Sequence, residues 1–287
     1  MSAAPHRDRA TFWLLDAEDG LAVQSHREPD GTGLGAFSQH GTPIVSKQPI
    51  AAFEDSAFVR EARVLVSSTF VAHIRFASTG AVERRNTHPF EQRGRLLAHN
   101  GVIGGLDRLE RELGDDRALV AGDTDSERFF ALVTRRIEQH GGDVTAGLTA
   151  AARFVAETLP LYALNVVLAT PTGLWALRYP ATHELYYLER DPGPNPRQLD
   201  HAGRSGTIRV RSADAARHPT VVVASERMDE DPRWRALASG ELLHVDENLE
   251  VRVERILDHP PAHPLSLTDL DAHAAASQQG GASGAPA

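Results

Sequence analysis

Apolar segments of two different periods follow one another along this chain in three blocks, and that order limits the folds open to it. In the first block GLGAF and TPIVSKQ read as strands, residues 53–66 as an amphipathic helix, and the apolar run TFVAHIRFA as a buried strand, with the short strand GRLLAH behind it. The middle block is helical. It holds GGLDRLERELG, then a longer helix opening at Asp123 that carries Phe129, Phe130, Leu132, Val133 and Ile137 at helical spacing, then VTAGLTAAARFVAETLP, which stops at Pro160. The third block returns to short β-type runs, LYALNVVLA, GLWALRY, ELYYLE and TVVVAS, separated by turn residues. Strands, then helices, then strands imply two sheets with helices outside them, a layered α+β architecture. No internal repeat is present. One domain is expected over residues 1–265, with residues 266–287 a disordered tail, because that stretch offers few large apolar groups for a core.

Composition excludes several classes of function. A net charge of -9, with arginines interspersed among Asp and Glu, leaves no basic patch for nucleic acid. No apolar run reaches the length of a membrane span, and the opening MSAAPHRDRA has no signal-type apolar stretch, so the cytoplasm is the expected location. The 14 histidines lack metal-ligand spacing, and no metal or other cofactor is expected. GTGLG leads into a strand rather than a helix N-terminus that could cradle phosphate. DTDSE begins like a calcium loop, yet Arg128 holds the glycine position and Thr134 the final glutamate position.

The informative stretch is His73 to Gly101, HIRFASTGAVERRNTHPFEQRGRLLAHNG. It resembles the glutamine-binding core of class II glutamine amidotransferases: a strand, H-x-R-x-A-[ST], a loop, N-x-H-P-F, a short strand and H-N-G, in that order. GDTDSE, from Gly122 to Glu127, resembles the helix start that follows in that family, and QSHREPDGTGLG, from Gln24 to Gly35, its early Asp-Gly turn. Together these blocks cover about the first two thirds of the chain and are far more specific than any one motif. The resemblance implies a four-layer αββα sandwich of the N-terminal-nucleophile hydrolase type, acting on glutamine or another γ-glutamyl small molecule. The early block looks most like stand-alone members, which include the amidohydrolase of ergothioneine biosynthesis. With no synthase domain following, any ammonia acceptor would be a separate subunit.

A glutaminase must hold both charged ends of an amino acid and stabilise an oxyanion at the side-chain amide. Arg75 offers a fork of donors suited to the α-carboxylate, and Asp125 an acceptor for the α-ammonium group. The resemblance implies that the Asn100 side chain and the Gly101 N–H form the oxyanion hole and that Ser78 and Thr79 line the glutamine pocket. Each has a plainer explanation taken alone. Arginines at strand ends serve as ion-pair partners, Asn-Gly between apolar runs is a common hairpin turn, and Asp123 and Asp125 could cap a helix, a role expected of Asp123. Only the ordered set favours catalysis. His73, His88 and His99 are expected to support strands and loops, since this chemistry needs no histidine.

The chain contains no cysteine, and in the family it resembles the nucleophile is an N-terminal cysteine whose own α-amino group acts as base. That residue opens the first strand of a central sheet, which MSAAPHRDR cannot replace. Three explanations are open: Met1 is an internal methionine lying just after the strand, Ser2 is the nucleophile, or the domain binds a γ-glutamyl compound without turning it over. We favour the first.

Overall fold

The computed structural model describes residues 1–191, 201–202, 209–210 and 218–279. A π-helical turn, Phe12–Asp16, and helix α1, Leu21–Gln24, lead into strands β1 (Gly31–Phe37) and β2 (Pro43–Gln48), helix α2 (Ser56–Val64) and strand β3 (Phe70–Arg75). After β4 (Phe90–Gln92) and β5 (Arg95–Ile103) come helices α3 (Leu106–Leu113), α4 (Asp125–Gln139) and α5 (Val144–Thr158). The chain then forms β6 (Pro160–Ala169), β7 (Leu174–Arg178), β8 (Tyr186–Arg190), the short pair β9 (His201–Ala202) and β10 (Arg209–Val210), and β11 (Thr220–Ala224). It closes with β12 (Arg235–Ala236), β13 (Glu241–Val245), β14 (Val251–Arg255), β15 (His263–Pro264) and helix α6 (Ala272–Gln279).

Two sheets stack face to face. The inner sheet runs β14-β13-β7-β6-β5-β4, with β15 parallel to β6. The outer sheet consists of two halves, β2-β1-β3 and β11-β8-β12. Ser2 is bridged on one side to Thr69, just before β3, and on the other to Val221 of β11, and so joins them. Phe37, Val71, Leu96, Ala169, Leu185 and Val221 pack between the sheets. Helices α3, α4 and α5 cover the far face of the inner sheet, where Phe129, Phe130, Leu132 and Val133 are fully buried; each such side chain stabilises the fold by about 1.5–3 kcal/mol. On the far face of the outer sheet lie α2 and the π-helical turn, through Phe58, Leu14, Phe12 and Trp13. The four layers are therefore helix, sheet, sheet, helix, the αββα sandwich anticipated above.

One plainer alternative is set aside and two local expectations change. The Asn100-Gly101 pair makes no hairpin turn but lies within β5, opposite Asn165 and Leu164 of β6, because a nine-residue strand with a full ladder outweighs the local turn preference. Helix α4 is capped by Thr124, whose hydroxyl accepts the Glu127 N–H at 3.2 Å, while Asp123 is exposed and pairs with Arg85 at 3.1 Å. Only at position 124 does a side-chain oxygen face the third helical N–H. The segment expected to be a tail also packs. Leu267 and Leu270, together with Leu265 just before the segment, lie against Val102, Tyr162 and Ala163, and Gln278 of α6 hydrogen-bonds the His183 ring at 2.9 Å. The two leucines within it anchor a stretch whose remaining residues are small or polar. Residues 280–287 of that expected tail lie outside the described residues.

Candidate active site

Arg75 ends β3 with its side chain 3% exposed. Its guanidinium donates to the main-chain carbonyls of Thr79 at 2.7 Å, Gly80 at 3.2 Å and Ala81 at 3.1 Å, so the loop after the strand wraps around it. The Asp-Gly turn docks from the other side, where the Asp30 carboxylate accepts the Ala77 N–H at 2.9 Å. Burial lowers the Arg75 pKa, opposed by the charges of Asp30 and Asp125. Asp125, 1% exposed in the first turn of α4, accepts the Thr79 hydroxyl at 2.7 Å and the Ile103 N–H at 2.8 Å. One carboxylate thus ties the arginine loop to β5, at a helix N-terminus that favours negative charge. Ser78 is half-buried on the same loop.

Asn100 and Gly101 lie three and two strand positions before Ile103. Gly101 has φ 147°, and a Cβ there would fall 2.0 Å from the Ala163 carbonyl oxygen, so only glycine lets β5 and β6 approach this closely. Asn100 is exposed to a cavity of about 140 Å³ between the sheets, which is also lined by His73, His99, Asn165, Trp13 and Met1. The structure therefore brings Arg75, Thr79 and Asp125 into one bonded cluster, which does not itself line the cavity, and sets Asn100 on the cavity wall.

Three histidines fill the space behind these groups. The rings of His73 and His88 lie 4.3 Å apart, and His99 bonds Ser126 through Nδ1 at 2.9 Å and the Ala163 carbonyl through Nε2 at 3.2 Å. Burial pushes the His73 imidazole down to about 3 and lowers His88 and His99 as well, so all three are neutral near pH 7. Among the described residues no group of three His, Cys, Asp or Glu could hold a metal ion. Sequence reasoning gave His99 a supporting place and did not single out Asp30, although it lies within a motif already picked out. Asn165 carried no signal at all.

The cavity is one strand wide. At its closed end Ser2 exchanges hydrogen bonds with Val221, both at 2.8 Å, while Met1 and Phe70 bond each other at 3.0 and 2.9 Å. Beyond Met1, Val71 to His73 of β3 and Val222 to Ala224 of β11 line the cavity. Each of these strands is paired along its other edge, β3 with β1 and β11 with β8. Ser2 sits far from the charged cluster. It lies opposite Thr69, six positions from Arg75 (75 − 69), which in an extended strand is roughly 20 Å. Its hydroxyl is fully buried with no hydrogen-bond partner.

A family model described as "Glutamine amidotransferases class-II" matches residues 15–264. The uncharacterized protein MJ1515 of Methanocaldococcus jannaschii is 27% identical over 266 residues, covering 86% of this chain and 72% of that one. The solved structure of a glutamine aminotransferase class-II domain protein from Silicibacter pomeroyi superposes with a TM-score of 0.55 at 20% identity, over 87% of this chain and 97% of that one. The glutamine phosphoribosylpyrophosphate amidotransferase of B. subtilis, in a complex with ADP and GMP, shares the fold with a TM-score of 0.60 at 17% identity. That match covers 88% of this chain and 48% of the B. subtilis chain, of which this chain therefore spans about half.

Proposed function

From the premise that this chain belongs to the class II glutamine amidotransferases, we propose that the complete protein is an amidohydrolase cleaving the side-chain amide of glutamine or of another γ-glutamyl compound. Arg75 takes the α-carboxylate and Asp125 the α-ammonium group, with Ser78 and Thr79 along the pocket. A thiolate attacks the γ-carbonyl, Asn100 and the Gly101 N–H receive the oxyanion, and the C–N bond breaks as the leaving nitrogen takes up a proton. Ammonia or an amine departs. Water then hydrolyses the γ-glutamyl thioester to glutamate and the free thiol.

The observation that carries this proposal is the strand-wide slot between β3 and β11. A segment preceding Met1 and continuing the Ser2 register would run antiparallel to both edges, past Asn100 and towards Arg75. Its residue opposite Arg75 would be the sixth before Ser2, by the same count of 75 − 69 positions. We place the cysteine nucleophile at that end of the slot. Ser2, about 20 Å short of it, is not the nucleophile.

Glutamate release from glutamine and from γ-glutamyl amides tests the proposal on three proteins: the chain of 287 residues, a form extended upstream by a strand opening with Met-Cys, and that form with its cysteine changed to Ala. Only the second should be active. Activity of the unextended chain that disappears in Ser2→Ala would overturn the assignment. An extended form that binds glutamine but turns over no γ-glutamyl compound would make this a binding domain.

A further inference from the structure

We propose that His99 is a positioning residue that holds the oxyanion-binding Gly101 and the ammonium-binding Asp125 in one frame, an inference that rests on the roles just assigned to those two residues. The imidazole is 3% exposed, so its hydrogen bonds are made almost wholly within the protein. Its Nε2 faces the Ala163 carbonyl oxygen at 3.2 Å, and a carbonyl only accepts, so the proton sits on Nε2. The lone pair is then on Nδ1, which accepts the Ser126 hydroxyl proton at 2.9 Å. Burial keeps the ring neutral, as this arrangement requires, against the opposing pull of the Asp125 charge.

Each bond ends beside a functional group. The Ala163 carbonyl is the atom packed against the Cα of Gly101, where a Cβ would lie 2.0 Å from it and 2.9 Å from His99 Nε2. By drawing that carbonyl towards itself, the imidazole fixes how closely β6 presses on Gly101 and hence the direction of the Gly101 N–H. Ser126 follows Asp125 in the first turn of α4, so the other bond sets the depth of that turn and of the carboxylate. A ring with two different neighbours, one requiring a donor and one an acceptor, fits histidine better than a space-filling residue. Such supporting contacts matter because small misplacements of reacting groups are costly in rate.

The two ends can be separated by substitution. In the catalytically complete protein, His99→Phe should lower kcat about tenfold or more and also raise KM. His99→Gln places an amide N–H near Nε2 and should recover kcat alone. His99→Asn places its oxygen near Nδ1 and should recover KM alone. If the Gln and Asn variants fold and cannot be told apart in this kcat-against-KM comparison, the proposal is wrong, and that comparison stands even where the Phe variant does not fold. Should the complete protein turn over no γ-glutamyl compound, nitrogen-15 NMR of the chain still decides the matter. The His99 proton is expected on Nε2, with the Gly101 amide resonance displaced in His99→Asn and close to its original position in His99→Gln. A proton on Nδ1, or a Gly101 resonance indifferent to both changes, would overturn it.

Discussion

Asn100 and Gly101 are neighbours on one strand, yet substitutions at them should have opposite signatures. Asn100 presents an exposed side chain to the cavity and no contact of the core depends on it. In the active protein, Asn100→Ala should lower kcat by on the order of a hundredfold with KM little changed, and alter stability by less than about 0.5 kcal/mol. Gly101→Ala, at φ 147° and against the Ala163 carbonyl, should cost about 1–3 kcal/mol of stability from backbone strain alone. Steady-state kinetics and urea melts of the two variants check this, and a loss confined to KM in Asn100→Ala would move that residue into substrate binding. What the sequence disclosed at this scale was charge and motif: Arg75 and Asp125 stand out as complementary to an amino acid's two ends. It did not disclose that Arg75 spends three donors on its own loop or that Thr79 bonds Asp125, since both depend on how residues 76–81 fold back. His99 was legible only as part of a motif. Its two partners come from residues 27 and 64 positions away.

Among the elements, α4 shows how a local cap acts on the site. The Thr124 hydroxyl that accepts the Glu127 N–H holds the first turn, and the Asp125 carboxylate rides on that turn. Thr124→Ala should cost about 1 kcal/mol of stability and weaken glutamine binding, although the Thr124 side chain makes no bond to Asp125. Calorimetric titration and thermal melts of this variant provide the check; unchanged affinity alongside the stability loss would show that Asp125 is held by Thr79 and Ile103 alone. Helices α3, α4 and α5 and strands β3 and β6 were readable because their apolar periods are long and regular. The passage of β5 through Asn100-Gly101 was not. A two-residue signal for a turn is local, whereas the ladder to β6 that overrides it is formed with residues more than sixty positions further on. The packing of residues 266–279 escaped for a similar reason, since two leucines and one glutamine suffice only where a matching apolar patch already exists.

Over the whole molecule, three neutral imidazoles enclosed near the site link folding to pH. His73, His88 and His99 are all held below the ordinary value of about 6.5, chiefly by burial. A base whose pKa is lowered on folding is protonated more readily when unfolded. The stability lost therefore begins to appear as pH falls through about 6.5, at up to about 1.4 kcal/mol per pH unit for each proton taken up. The urea midpoint should fall steadily from pH 6.5 to 5, and replacing His88, whose two ring nitrogens both lack partners, with Phe should flatten that fall. An unchanged pH profile in His88→Phe would show that the loss arises elsewhere. The layered architecture itself was legible from the order of strand and helix blocks, because each layer needs a particular period and a particular face. The join between the halves of the outer sheet was not.

That join also bears on how freely this protein can vary. A slot bounded by two strand edges recognises a backbone, not a sequence. Any residues able to lie extended, and small enough to pass Trp13, Val167 and Leu185, satisfy the same main-chain donors and acceptors. Under the proposed function, selection on the occupant would be concentrated on one reactive side chain at its far end, while the positions between would be free to drift. The most consequential segment of such an enzyme can in this way be among the least recognisable, a short stretch whose identity is written almost wholly in the walls around it.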